Sequence, residues 1–222
     1  MKKTDKNILM ITSGGSGQRF GADTPKQYLP LGGKLVVAHV IEACLRSRRA
    51  DAVVVVAAPE YHEMLRGYGV DVAAGGATLN QSKRKGFDYI REHSGCEKLI
   101  VLDAVRPFVE PSVLDEIFDL LDDYDAVPCA RKITDSIGSY GTWCLKREEF
   151  YTLNAPEGFR FPLLDQNFDA DSELTESVQQ LPSTSKVYLK FDVPYYEKIT
   201  YAEDLEKAQA LLEYRERHAR RE

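Results

Sequence analysis

A chain of 222 residues, 43% hydrophobic and 29% charged, can bury a sizeable core within one domain, 1–222, and nothing in the composition calls for a second. With 29 Lys and Arg against 35 Asp and Glu the net charge is −6, which argues against a nucleic-acid-coating protein and makes any cluster of cations a local concentration. No apolar run approaches membrane-spanning length, and Met1-Lys-Lys-Thr-Asp-Lys leads into only a brief apolar strand, so no membrane partner and a cytoplasmic location are expected.

The first element, Asn7-Ile-Leu-Met-Ile-Thr12, reads as a buried parallel strand that feeds a loop at the C-terminal edge of a sheet. In that loop Gly14, Gly15 and Gly17 remove side chains where backbone N–H groups would approach phosphate oxygens, and Arg19 and Lys26 add full positive charges. The dinucleotide fingerprint fails, because Phe20 stands where G-x-G-x-x-G needs its last glycine. The P-loop pattern fails as well, since Gly33-Lys34 is followed by Leu35. A triphosphate held by such a loop is cleaved at the β,γ bond or attacked at the α-phosphorus, and Arg19 and Lys26 are placed to neutralise phosphate charge, including that of departing pyrophosphate. In nucleotidyl transfer the incoming phosphate monoester is already a nucleophile. The site must then supply screening, in-line positioning and a magnesium ion bridging phosphate oxygens.

Further along, Val36, Val37, Val40, Ile41, Ala43 and Cys44 line one face of a helix. Apolar runs at 52–58, 70–73, 98–103 and 125–130 alternate with helical spacing, which predicts an α/β fold: a Rossmann-like, mostly parallel sheet with helices on both faces. Ala74-Gly75-Gly76-Ala77-Thr78-Leu79-Asn80-Gln81-Ser82 sets two glycines and a hydroxyl between a strand and a helix beginning near Asn80, an arrangement suited to close backbone contact with a flat pyrimidine. A helix with proline near its start follows at Pro111. Glycines and aromatics from 131 to about 155, among them Tyr140 and Trp143, predict a projecting β-arm. The last helix starts at Ala202, with Thr200 as its expected N-cap and Glu203 completing a capping box. Cys44, Cys96, Cys129 and Cys144 lack C-x-x-C spacing, so reduced thiols are expected, without a zinc site or disulfide framework.

Gly-x-Gly-x-Arg-Phe-Gly followed by Pro25-Lys26-Gln27-Tyr28-Leu29-Pro30-Leu31 resembles the signature of the CTP-dependent polyol-phosphate cytidylyltransferases, and the resemblance extends over nearly the whole chain. It implies a transferase that joins CMP from CTP to a polyol phosphate, with magnesium as cofactor and pyrophosphate as by-product. Arg19 and Lys26 inherit the catalytic role. Ser13, Gly14, Gly15 and Gly17 in the first loop, and Gly75, Gly76 and Ser82 in the Gly-Gly-x-x-Arg-x-x-Ser-like segment, inherit nucleotide binding, with Leu79 where the family often has arginine. Leu102-Asp103-Ala104-Val105-Arg106-Pro107 resembles the family's His-Asp-Ala-Val-Arg-Pro. It places Asp103 near the phosphates and a polyol hydroxyl, with the metal as a further ligand, and Arg106 at the acceptor or bracing the loop; an Asp103–Arg106 pair of purely structural use is the alternative.

For the acceptor the resemblance adds Lys198 as a grip on its phosphate, Asp135 and Ser136 as contacts, and Arg147 reaching across a homodimer made by the β-arm, which is several residues shorter than usual. A surface hairpin without a partner, and a solvated cluster of Lys146, Arg147 and Glu148, are the plainer readings there. Pro-Lys-Gln-Tyr-Leu-Pro-Leu leans toward the methylerythritol-phosphate members, whereas Ser-Gly-Gly and Asp-Ala-Val-Arg-Pro-Phe lean toward the ribitol-phosphate members; the first is favoured. A nucleotide-binding scaffold without turnover is the rival from another class, and a sugar-1-phosphate nucleotidyltransferase using another NTP is a distant third.

Overall fold

The computed structural model describes residues 6–14, 20, 24–194 and 198–219. Gly15, Gly17 and Arg19 lie outside them. In chain order the described elements are β1 (Asn7–Ser13), β2 (Pro30–Leu31), β3 (Lys34–Leu35), α1 (Val36–Leu45), β4 (Ala52–Ala57), α2 (His62–Arg66), β5 (Asp71–Ala74) and α3 (Leu79–His93). They continue as β6 (Lys98–Asp103), α4 (Pro111–Leu120), β7 (Ala126–Lys132), β8 (Tyr151–Arg160), α5 (Phe161–Asn167) and α6 (Ala202–Ala219). Among the described residues no helix is long and apolar enough to cross a membrane.

The main sheet has the order β5-β4-β1-β6-β8-β7. β5, β4, β1 and β6 run parallel, and β8 inserts antiparallel between β6 and β7. The central strands are apolar at nearly every position because both faces are covered. Alternate side chains divide cleanly. Leu9, Ile11, Val53, Val55, Ile100 and Leu102 join α1 and α4 in one core. Ile8, Met10, Val54, Val56, Leu99 and Val101 join α3 and α5 in the other. There Phe87 is fully buried and edge-on to Phe168 at 5.0 Å and Phe161 at 5.8 Å. Contacts of this kind stabilise by about 0.5–1.5 kcal/mol beyond the area they bury.

β8 has no counterpart among the expected strands. Pro156 and Gly158 lie within it, the Ala155–Pro156 peptide is cis, and a register shift faces it at Pro128/Cys129 of β7. Both residue types normally argue against a strand interior. Here Gly158 is where α4 presses on the sheet: a Cβ would stand 2.3 Å from Ile117 Cγ2. β7 and β8 pair as far as Lys132 with Tyr151, and residues 133–150 continue beyond them as an exposed excursion. The cap of α6 also differs from the expectation. Asp204 Oδ2 accepts the backbone N–H groups of Thr200 and Tyr201 at 2.9 Å, while the Thr200 hydroxyl turns back to Lys198 O. The shorter acid one residue later takes the place that Glu203 was expected to hold.

Candidate functional site

The connection leaving β1 runs to β4 on one side, and the one leaving β6 runs through α4 toward β7 on the other. Where directions diverge in a parallel sheet, a crevice opens at the carboxyl ends of the two strands. The β1–β6 register ends at Thr12 opposite Asp103, so the loops carrying Ser13-Gly14 and Asp103-Ala104-Val105 flank that crevice. A cavity of about 320 Å³ occupies it, with Gly14, Lys26, Thr78, Leu79, Asp103 and Lys198 in its wall.

The residues expected on the nucleotide side build this wall largely through one another. Ser13 is buried, its hydroxyl 3.0 Å from the Tyr28 hydroxyl and its carbonyl accepting Gln27 Nε2 at 2.9 Å. These bonds tie the short 3₁₀ turn Lys26–Tyr28 to the end of β1 and place Lys26 at the cavity. Burial pushes the Tyr28 phenol up to about 12, against the Ser13 hydrogen bond, so it stays a neutral hydroxyl. Its ring stacks on Tyr61 with centroids 3.7 Å apart.

Ser82 braces the second loop. Its Oγ accepts Gly76 N–H at 3.0 Å and donates to Thr78 O at 2.9 Å, so the hydroxyl is committed within the protein. Thr78 caps α3 by accepting Gln81 N–H on Oγ1 at 3.1 Å. A Cβ on Gly76 would fall 2.6 Å from Gln81 Cβ, and one on Gly14 would fall 3.0 Å from Ser82 Oγ. The two glycine loops therefore touch through Ser82. Gly75 N–H bonds Ala57 O at 2.8 Å, and Lys85 Nζ donates to Gly75 O at 2.9 Å, which fixes the rest of the turn.

Across the cavity Asp103 Oδ2 meets Lys198 Nζ at 3.0 Å and Arg106 Nε at 3.1 Å. Burial works to raise this carboxyl, but the two cations beside it hold it below the ordinary carboxylate range, so it stays anionic. Arg106 is buried, and its Nη2 reaches Asn154 Oδ1 of β8 at 3.4 Å. Lys198 is brought in by the backbone bond from Ile199 N–H to Val105 O, 3.0 Å, below the packing of α6. Asp103 thus holds both the partner expected for a structural pair and the cation expected for the acceptor.

Asp135, Ser136 and Arg147 are not brought to this cavity. They are exposed on the 133–150 excursion, where Arg147 bonds Glu148 Oε1 at 3.0 Å and also donates to Thr134 O. Arg147 instead edges a second hollow of about 460 Å³ with Lys132, Phe150, Tyr151 and Phe191. Thr78 and Gln27 were not among the expected site residues. Thr78-x-x-Gln81 is a capping-box spelling legible in the sequence, whereas the bond from Gln27 to Ser13 O needs the fold. Of the cysteines, Cys44, Cys96 and Cys129 are buried and Cys144 is exposed, all as free thiols.

The chain is similar to known proteins in both sequence and fold. It is 30% identical to 2-C-methyl-D-erythritol 4-phosphate cytidylyltransferase of Nitrosomonas eutropha, over 95% of this chain and 98% of the relative. It is 33% identical to the enzyme of that name from Porphyromonas gingivalis, over 70% of this chain and 72% of the relative. The fold matches 4-diphosphocytidyl-2C-methyl-D-erythritol synthase of Anaerococcus prevotii, with a TM-score of 0.82 at 21% identity over 95% of this chain and 97% of that one. It also matches 2-C-methyl-D-erythritol 4-phosphate cytidylyltransferase of Thermus thermophilus, with a TM-score of 0.75 at 22% identity over 96% and 100%. Residues 7–214 match the family model for 2-C-methyl-D-erythritol 4-phosphate cytidylyltransferase, and the chain belongs to that family of nucleotidyltransferases.

Proposed function

We propose that the protein transfers CMP from CTP to 2-C-methyl-D-erythritol 4-phosphate, giving the CDP-polyol and pyrophosphate. The observation that carries this reading is the single cavity at the β1–β6 edge, which joins the glycine loops and Lys26 on one side to the Asp103–Lys198 pair on the other. A phosphate oxygen of the acceptor attacks the α-phosphorus of CTP, and the α,β P–O bond breaks with its electron pair leaving on pyrophosphate. No side chain has to remove a proton. What the protein must do is bring two anions together, and cations on both sides of the cavity suit that task.

In this reading Lys26, together with Arg19, neutralises the charge that builds on the bridging and leaving oxygens. Ser13, Gly14, Gly15 and Gly17 with Gly75, Gly76 and Ser82 form the nucleotide side, Ser82 by holding the two loops in shape. Lys198 takes the acceptor phosphate, while Asp103 accepts a polyol hydroxyl and Arg106 holds Asp103 in place. Asp135, Ser136 and Arg147 serve the acceptor only when a second copy of the chain brings its 133–150 excursion to the site.

A divalent cation fits this donor set in a limited way. Among the described residues no three His, Cys, Asp or Glu side chains gather to cage a metal, and Asp103 is the one carboxylate in the cavity wall. One carboxylate plus substrate phosphates is the set magnesium takes, since it keeps most of its waters. When bound, magnesium supplies charge neutralisation across the triphosphate oxygens, and Asp103 is the residue that would help hold it.

The test is pyrophosphate release with CTP, magnesium and a panel of polyol phosphates. Release is expected with 2-C-methyl-D-erythritol 4-phosphate. Lys26→Ala should lower kcat/KM at least about 1000-fold, a loss of about 4 kcal/mol of transition-state stabilisation, with an unchanged circular dichroism spectrum. Release only with ribitol 5-phosphate would move the acceptor assignment. CTP binding without release on any acceptor would make the chain a scaffold.

A further inference from the structure

Behind the nucleotide wall, residues 172–178 cross the first turn of α3 as a strap. Asn80 Nδ2 donates to Ser172 O and Leu174 O, both at 2.8 Å. Lys83 Nζ donates to Thr175 O at 2.8 Å and to Ser177 Oγ at 2.9 Å. From the sheet, Glu157 of β8 accepts Ser177 N–H at 3.0 Å on Oε2 and Val178 N–H at 3.2 Å on Oε1. Ser177 is shared, its hydroxyl bound by the lysine and its N–H by the glutamate, and it is fully buried. Lys83 is 4% exposed and Glu157 1% exposed. Charges so thoroughly removed from water persist only when other groups hold them in place.

The geometry of α3 makes this burial informative. Asn80 and Lys83 are three residues apart and share a helix face, as do Leu79 and Ser82. Leu79 and Ser82 line the cavity, while Asn80 and Lys83 grip the strap. The β6–β8 register sets Glu157 opposite Val101, on the sheet face that Asp103 occupies two residues later. The strap's Glu176 lies within electrostatic reach of Glu157, Lys83, Asp103 and Lys198. Glu157 and Lys83 thus meet at Ser177, behind the helix turn that shapes the nucleotide wall.

We propose that Lys83 and Asn80 are positioning residues: by clamping the 172–178 strap they hold the first turn of α3 in the conformation that receives the nucleotide. Neither residue touches the cavity on its own account as a charge for the substrate. Each acts through Thr78, Leu79 and Ser82. The proposal rests on the reading that this cavity takes CTP.

The test is isothermal titration of CTP in the presence of magnesium, paired with steady-state kinetics and hydrogen exchange on the full chain. Lys83→Met keeps most of the side-chain volume and removes both hydrogen bonds made by Nζ. It should raise Kd and KM for CTP about tenfold while kcat stays within about twofold, the signature of a lost preorganised ground-state site. Amide exchange should quicken at 172–178 and 78–82 and remain unchanged in β1 and β4. Asn80→Leu, which loosens the strap without altering charge, should reproduce the pattern and takes the place of Lys83→Met should that variant not fold. A folded variant that binds CTP as the wild type does would overturn the proposal, as would a fall in kcat with KM for CTP unchanged. A wild-type protein that binds no CTP would sink the functional reading instead.

Discussion

At the scale of single residues, two carboxyls, Asp103 and Glu176, are shifted in opposite directions by what surrounds them. Asp103 stays anionic because Lys198 and Arg106 outweigh its burial. Glu176 goes the other way: burial, and then the carboxylate of Glu157, push it up to about 7, against the pull of Lys83 and Lys198. A carboxyl whose folded value lies above its unfolded one contributes stability that is complete below the ordinary carboxylate range and disappears as pH rises toward 7. Glu176→Gln removes that loss, so the variant's melting temperature should gain on the wild type between pH 5 and pH 8. The gain should be about 2–4 °C, the shift that 1 kcal/mol produces in a chain of this size. A difference that stays constant across that range would refute the assignment. Asp103 and Lys198 were legible in the sequence because each sits inside a recognisable motif. Glu157 and Lys83 were not, since they are linked only through Ser177 of the strap, which bonds each of them separately.

At the scale of elements, the parallel half of the sheet could be read directly. Val53-Val54-Val55-Val56 and Leu99-Ile100-Val101-Leu102 are apolar at consecutive positions, and only a strand buried on both faces tolerates that pattern. In the antiparallel half β7 was legible as the run 125–130, whereas β8 escaped because it is written with Asn154, Pro156 and Gly158, residues that local preference assigns to a turn. Packing overrides the preference: Phe159 is fully buried against α3 and α5, and Glu157 is satisfied from the strap. The helix starts teach a similar lesson. Thr78 caps α3 and its loss to alanine should cost about 1 kcal/mol. Urea unfolding of Thr78→Ala should show a lower midpoint with an unchanged slope, and an unchanged midpoint would mean that the strap alone holds the turn. At α6 the corresponding bond comes from Asp204, whose side chain is short enough to reach two N–H groups at once.

At the scale of the whole molecule, several exposed aromatics belong to the 133–150 excursion or to the hollow beside it. Trp143 is 86% exposed, and Phe150, Tyr151 and Phe191 are each exposed around the hollow that Arg147 edges. The second copy proposed above would cover this apolar surface. Sedimentation velocity should find a dimer at micromolar concentration, and Trp143→Ser with Phe191→Ser should shift it toward monomer while raising KM for the acceptor more than for CTP. A wild type that remains monomeric would remove Arg147 from the site.

The placement of β8 between β6 and β7 has a consequence for how such a molecule can vary. Two parallel strands must be joined by a crossover, and α2 lies between β4 and β5 as α3 lies between β5 and β6. β7 and β8 are antiparallel neighbours joined directly, and β7 ends at the same edge as the cavity. Residues can be added to or removed from that hairpin in register-preserving pairs without moving any helix. The parallel half of the sheet is therefore constrained by its crossovers, and the hairpin is the part of the fold free to change length.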